Sequence, residues 1–423
     1  MELDSWRGIC ACMVALFHLE VYGHFYTLGL IRNSFLFVDF FFVLSGFVIS
    51  HVYAETLHRP IDAARFIVRR FGRLWPLQAA LLAVLVAGNL LLSVLGSAGV
   101  SLPIPPFSPK IYPLDQLPVH LLLLQGLGFS PEGMWDAPSW SISAEFFTYL
   151  VFAGCALVVG PRAAVLLPAI ACSVIVLGIW ILAYWSPSHM EAAYDYGFIR
   201  SLYGFFLGHL VWQVYRRGVA VPWPGFTEPL MVLLTAVMIS IAWHSPWSVF
   251  IPFLFAGTIL VFVQGRGPLS VVLRSAPFQT LGRLSYSIYM VHWLVLIAYG
   301  HAGIALLSRL FHRNLEISVP APESGQPVFV AQIGGRFGSD LWALAFLLTV
   351  IGFAEVTYRL IEIPGRTYCN DWARRRLTGR RGAGGKMLVT TARFDAAATN
   401  DTTFGRPVDV GADRPAPNRS IYR

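Results

Sequence analysis

The chain has 423 residues, of which 56% are hydrophobic, 14% aromatic and only 13% charged, against roughly 25% charged in an ordinary soluble domain. That composition excludes a water-soluble globular fold and a solvated disordered chain. The formal net charge of +8 is gathered in short loops and a C-terminal tail, which is the pattern of positive-inside topology and not of a nucleic-acid-binding face.

The first apolar stretch, LDSWRGICACMVALFHLE (3–20), carries a cation and a histidine. On a helix Arg7 and His18 fall within about 20° of each other and roughly 16 Å apart along the axis. Two acidic residues precede Arg7, and no small-residue cleavage site follows, so the stretch reads as a retained span and not as a cleaved signal peptide. The further apolar runs cover 34–53, 75–95, 140–159, 163–185, 198–214, 229–244, 249–263, 285–307 and 341–360. Including the first, at 8–26, these ten runs have about the length a spanning helix needs. The expected fold is an all-α polytopic bundle of about ten spans. The piece 119–124, between Pro118 and Gly126, is too short to cross and is expected to be re-entrant or interfacial.

Loop charge sets the orientation. Arg59, Arg65, Arg69, Arg70 and Arg73 crowd one link and place it, with both termini, in the cytoplasm. The multi-pass chain is therefore expected in the cell (inner) membrane. The segments 96–117 and 308–340 become long outer loops able to form a lid or an acceptor site. Residues 1–368 are expected to form the membrane domain, and 369–423, basic at its start, a disordered cytoplasmic tail. The five cysteines include no CxxC, and Cys10 and Cys12 lie about 200° apart on a helix, so no metal site is expected.

Ionisable groups inside spans are costly and mark candidate sites. His18, near the middle of its run, has an ordinary pKa of about 6.5 that suits a general base. Arg7 suits a phosphate-bearing cosubstrate. Glu145 lies in PSWSISAEFFTYL, with Ser141 and Tyr149 at i−4 and i+4 on its face. The run LSYSIYMVHWLV carries Ser285, Tyr289 and His292 on one stripe, beside Tyr286. Such a stripe lines a cavity. In VDFFFVLSGFVIS, Asp39, which reads equally as part of a structural network or of the site, and Ser45 are further cavity candidates, and Gly46 permits close helix contact. In RRFGRLWP, Arg69 and Arg73 at i, i+4 form a clamp beside Arg70. P-loop, GxGxxG and GxSxG motifs are absent.

Six of these segments, LDSWRGI with His18, VDFFFVLSGFVIS, RRFGRLWP, WSISAEFFTY, GRLSYSIYMVHW and YRLIEIPGR, occur in an order that resembles the membrane acyltransferase 3 family. That family includes bacterial O-antigen, exopolysaccharide and Nod-factor O-acetyltransferases. The resemblance implies transfer of an acyl group, commonly acetyl, from cytoplasmic acyl-CoA to a hydroxyl, often of a sugar at the outer side. It implies His18 and Glu145 as the essential pair, Arg7, Arg69, Arg70 and Arg73 at acyl-CoA, and no tightly bound cofactor. Two departures stand out. Thr148 and Tyr149 replace the usual aromatic pair, and Leu77 and Gln78 stand where a tyrosine is common. The alternative from a different class is a proton-coupled transporter or flippase using the same intramembrane groups as a relay.

Overall fold

A computed structural model describes residues 1–100, 105–130, 134–243, 245–320 and 326–377. One helix occupies each of the ten apolar runs. They are α1 (Glu2–Phe17), α2 (Phe37–Tyr53), α3 (Pro60–Ser97), α4 (Trp140–Val159), α5 (Ala163–Tyr184), α6 (Gly197–Arg216), α7 (Pro224–Ser240), α8 (Ile251–Phe262), α9 (Ala276–Leu296) and α10 (Gly335–Thr357). A helix α11 (Ile363–Arg376) continues α10 through a widened turn at Tyr358–Glu362, so helix extends into the stretch expected to be tail. Residues 378–423, the rest of that expected tail, lie outside the described residues.

Among the described residues, five stretches are long and apolar enough to cross a membrane: Ser34–Tyr53, Pro60–Ser97, Ala137–Tyr184, Ala276–Leu310 and Gly335–Arg376. The third is broken into α4 and α5 at Gly160, whose φ is 50°. These five hold six of the ten helices; of the others, α1, α7 and α8 are short and α6 carries several polar residues. The 12 residues of α8 extend only about 18 Å against a hydrocarbon core of about 30 Å. The piece after Pro118 forms a five-residue helix, Leu117–Leu121, far too short to cross. Leu166, Val176 and Leu177 on α5 and Leu341, Leu344 and Leu348 on α10 leave their side chains outside the bundle, as lipid-facing residues do.

Glycines decide which helices touch. A Cβ on Gly8 would overlap the Leu281 backbone, and one on Gly282 would overlap the Asp4 backbone. Helices α1 and α9 therefore run parallel at close range. Gly46 and Gly208 do the same for α2 and α6, against Phe205 and Val43. Gly72 on α3 faces Cys369, and Gly365 on α11 faces Pro76, which seats the basic segment of α3 against the last described helix. Phenylalanines fill the core between α2 and α8, where Phe40 meets Phe255 edge-on at 5.7 Å.

One element departs from the all-α expectation. In the segment before α10, β1 (Glu316–Pro320) and β2 (Pro327–Ala331) pair antiparallel, Glu316 opposite Ala331 and Pro320 opposite Pro327. Val21 joins Ala331 through a parallel bridge, and Val319 and Val330 pack on Tyr26. The alternation of EISVP has the strand period of two, but PVFVA is apolar throughout, so the signal is too short to stand out beside the helical runs. The hairpin ties the C-terminal end of α1 to the start of α10.

Candidate active site

The parallel contact of α1 with α9, the crossing of α3 and the inward faces of α2 and α4 enclose a cavity with about 1000 Å³ of atom-free space, part of it open to solvent. Arg7, Ser45, Arg70, Arg73, Ser141, Glu145, Tyr149, Ser285, Tyr286 and Tyr289 line it. Ten of the fourteen residues singled out from the sequence thus meet in one place.

Positive charge gathers where α1 and α3 enter. Arg7 lies 3.8 Å from Asp4, and Arg70 sits 5.9 Å from the Tyr53 ring with its Nε buried and without a hydrogen-bond partner. A buried donor left unmade costs about 1–3 kcal/mol, which suits a site awaiting an acceptor oxygen. Glu362, buried on the widened turn after α10, accepts from the Ser287 hydroxyl at 2.8 Å. Its charge faces Arg73, Arg366 and Arg7. This carboxylate is not on the cavity wall but backs its arginines; helical spacing does not single it out, although YRLIEIPGR contains it.

The hydroxyls of the wall form short chains beside the arginines. Tyr149 donates to Glu145 Oε1 at 2.6 Å and so accepts from Ser45 at 2.8 Å. Ser141 and Tyr289 hydroxyls lie 2.8 Å apart, both against the Pro138 carbonyl. Tyr286 donates to the Leu74 carbonyl at 2.5 Å. The Ser285 hydroxyl is buried without a partner.

Four expected residues stand elsewhere. Asp39 is not on the cavity wall. It is 0% exposed and paired with Arg200, 1% exposed, at 2.7 and 3.2 Å. Arg200 also donates to the Ala192 carbonyl and lies over the Trp140 ring, so Asp39 belongs to a structural network between α2 and α6. An aspartate inside a span demands a cation, and Arg200, in the run 198–214, supplies it. Arg69 is also off the wall; on the helix it lies within about 60° of Gly72, the residue packed on Cys369, and Arg70 and Arg73 remain as the pair that lines the cavity. His292 lies one turn beyond Tyr289, behind the wall. His18 lies behind His292.

Three ring contacts lead from the wall to His18. Phe41 meets Tyr289 at 5.9 Å, Tyr289 meets His292 at 5.8 Å, and His292 meets His18 at 5.0 Å between centroids. Beyond His292 in the chain, Trp293 packs edge-on to His18 at 5.8 Å and donates to the Trp135 carbonyl.

Next to Trp135, Asp136 is 1% exposed, and neither of its carboxylate oxygens has a hydrogen-bond partner. Burial pushes its pKa up to about 7 from an ordinary 3.8. A raised carboxyl pKa means the folded state holds its proton more tightly than the unfolded chain. Stability from this group is therefore full below about pH 4 and is lost as pH rises through about 7. Melting in detergent at pH 5 and pH 8 checks this: wild type is expected to lose several degrees on the alkaline side, and Asp136→Asn to lose little. Equal losses in both proteins would refute it.

Over residues 2–357 the chain matches the model of the acyltransferase 3 family, described as an acyltransferase domain. The chain belongs to the acyltransferase 3 family. It is 25% identical over 311 residues to a protein named as a putative membrane-bound transacylase, BcsY, of Komagataeibacter xylinus, covering 69% of this chain and 72% of that one. It is 28% identical over 314 residues to acyltransferase MdmB of Streptomyces mycarofaciens, covering 66% and 70%. Protein 2 in the picA locus of Rhizobium radiobacter is 32% identical over 162 residues, 36% of this chain and 79% of that one. No solved structure matches. Family membership and the apolar helices make this acyltransferase 3 member a multi-pass membrane enzyme that moves acyl groups. The match favours that reading over the transporter.

Proposed function

We propose that the protein is an O-acyltransferase that moves an acyl group, taken here as acetyl, from cytoplasmic acyl-CoA to a hydroxyl of a sugar or another cell-envelope or secreted acceptor. The observation that carries the reading is the convergence of Arg7, Arg70 and Arg73 with Glu145 in one cavity, from which Tyr289 and His292 lead to His18. Ten crossings with both termini in the cytoplasm accompany it, so that the arginines meet coenzyme A at the inner side and His18 lies toward the outer side.

In this reading the arginines hold the phosphates through charge-assisted hydrogen bonds, and the pantetheine runs up between α1, α3, α4 and α9. The thioester reaches His18 past the layer of Phe41 and Tyr289. The imidazole takes the acceptor's hydroxyl proton as its oxygen attacks the thioester carbonyl. The C–S bond breaks and the proton passes to the departing thiolate, leaving ester and free coenzyme A. Glu145, held by Tyr149, stands among the arginines as a carboxylate of the donor cavity. Bringing the two substrates together from opposite sides supplies much of the acceleration.

Two measurements test this. Mass spectrometry of envelope glycans and secreted small molecules, with and without the gene, should reveal a lost acyl mass. Purified protein with radiolabelled acetyl-CoA and the unacylated envelope extract should restore it, and failure of both would overturn the proposal. With the same assay, Arg70→Ala and Arg73→Ala should each raise KM for acetyl-CoA roughly tenfold or more, since a hydrogen bond to a charged group contributes about 1.5–3 kcal/mol. An unchanged KM in both variants would remove the arginines from the donor site.

A further inference from the structure

The proposal that His18 is the base leaves open what holds its ring, and the hydrogen bonds around it answer this. Close approach at Gly8 and Gly282 keeps α1 and α9 in parallel register, so that His18 and His292, ten and eleven residues further on from Gly8 and Leu281, arrive at the same level. His18 Nδ1 lies 2.9 Å from the Val14 carbonyl oxygen and 3.3 Å from His292 Nε2. His292 Nδ1 lies 2.5 Å from the Tyr289 carbonyl oxygen. Carbonyl oxygens only accept, so both Nδ1 atoms carry hydrogen. In a neutral imidazole the other nitrogen is then bare. His292 Nε2 is therefore an acceptor, and the proton it meets is the Nδ1–H of His18.

We infer that His292 is a positioning residue: its Nε2 lone pair, shared with the Val14 carbonyl, holds the Nδ1–H of His18 and so presents His18 Nε2 as the free base. This rests on the reading of His18 as the base. It gives a neutral imidazole the orienting task that a carboxylate performs in many histidine-dependent sites. Arg32, whose charge reaches His18, donates to the Phe17 carbonyl at 3.2 Å and lies over the Phe17 and Tyr26 rings. When His18 takes the acceptor's proton on Nε2, its Nδ1–H keeps the same two acceptors, and no group has to turn.

The test has two arms. In nanodiscs, nitrogen-15 histidine NMR, assigned with His18→Ala and His292→Gln, should show both rings protonated at Nδ1 and bare at Nε2. An Nε2-protonated ring at either position overturns the inference, whatever the activity. In acetyl transfer to the envelope extract, His292→Phe should lower kcat at least tenfold and leave KM for acetyl-CoA within about twofold. His292→Gln, whose side-chain oxygen can accept in place of Nε2, should retain activity within a few-fold. Equal activity of the phenylalanine variant and wild type overturns the inference. If the phenylalanine variant does not fold, the NMR pattern and the glutamine variant decide. Full transfer by His18→Ala would instead strike the proposed function, and the NMR pattern would still report on the pair.

Discussion

His18→Ala is expected to lower acyl transfer by ~10²–10⁴-fold, the usual contribution of a positioned general base. Acetyl-CoA should still bind, because the arginines and Glu145 line the cavity and His18 stands behind His292. Steady-state transfer to the envelope extract and equilibrium binding of labelled acetyl-CoA measure the two effects separately. Loss of binding together with loss of turnover would show that the variant has disturbed α1, whose contact with α9 runs through Gly8 and Gly282. Retained turnover would remove His18 from the chemistry.

The largest effect on stability is expected at the buried ion pair. Arg200→Ala leaves Asp39 as an uncompensated charge that was 0% exposed, and breaking such a pair typically costs about 3–5 kcal/mol. Asp39→Asn should cost less, since the amide keeps one acceptor for the guanidinium. The double variant Asp39→Leu with Arg200→Met removes both charges and should recover much of the loss. Thermal unfolding in detergent, read alongside the level of folded protein in the membrane, measures all three. If Arg200→Ala melts like wild type, the pair is not the clamp between α2 and α6 that its geometry describes.

Much of the site is legible in the order of residues along single helices. The spacing of Arg7 and His18, the stripe of Ser285 and Tyr289, and the i±4 neighbours of Glu145 follow from a helix's period, which fixes which residues share a face. What the period cannot supply is the rotation of one helix against another. Arg69 and Arg73 are the natural pair by spacing, but the contact of Gly72 with Cys369 turns α3 so that Arg70 and Arg73 face the cavity. Asp39 shares a stripe with Gly46, and the close packing at that glycine presses it against α6, where Arg200 takes it out of the cavity. Glu362 escapes a reading by spacing because it sits in a widened turn, where the helical period is broken.

The sequence by itself determined the solvent class, the ten apolar helices, the polarity of the loops and the family. The first three follow from composition and local spacing, each decided within a few tens of residues, and the family from six motifs that occur in order along the chain. The tertiary structure alone decided the partners: Asp39 with Arg200, 161 residues apart, His18 with His292, 274 apart, and the hairpin that joins Val21 to Ala331. Those pairs form because side chains of distant spans cannot carry their polar groups into an apolar bundle unsatisfied, and only close packing at the glycines selects which partner each group meets.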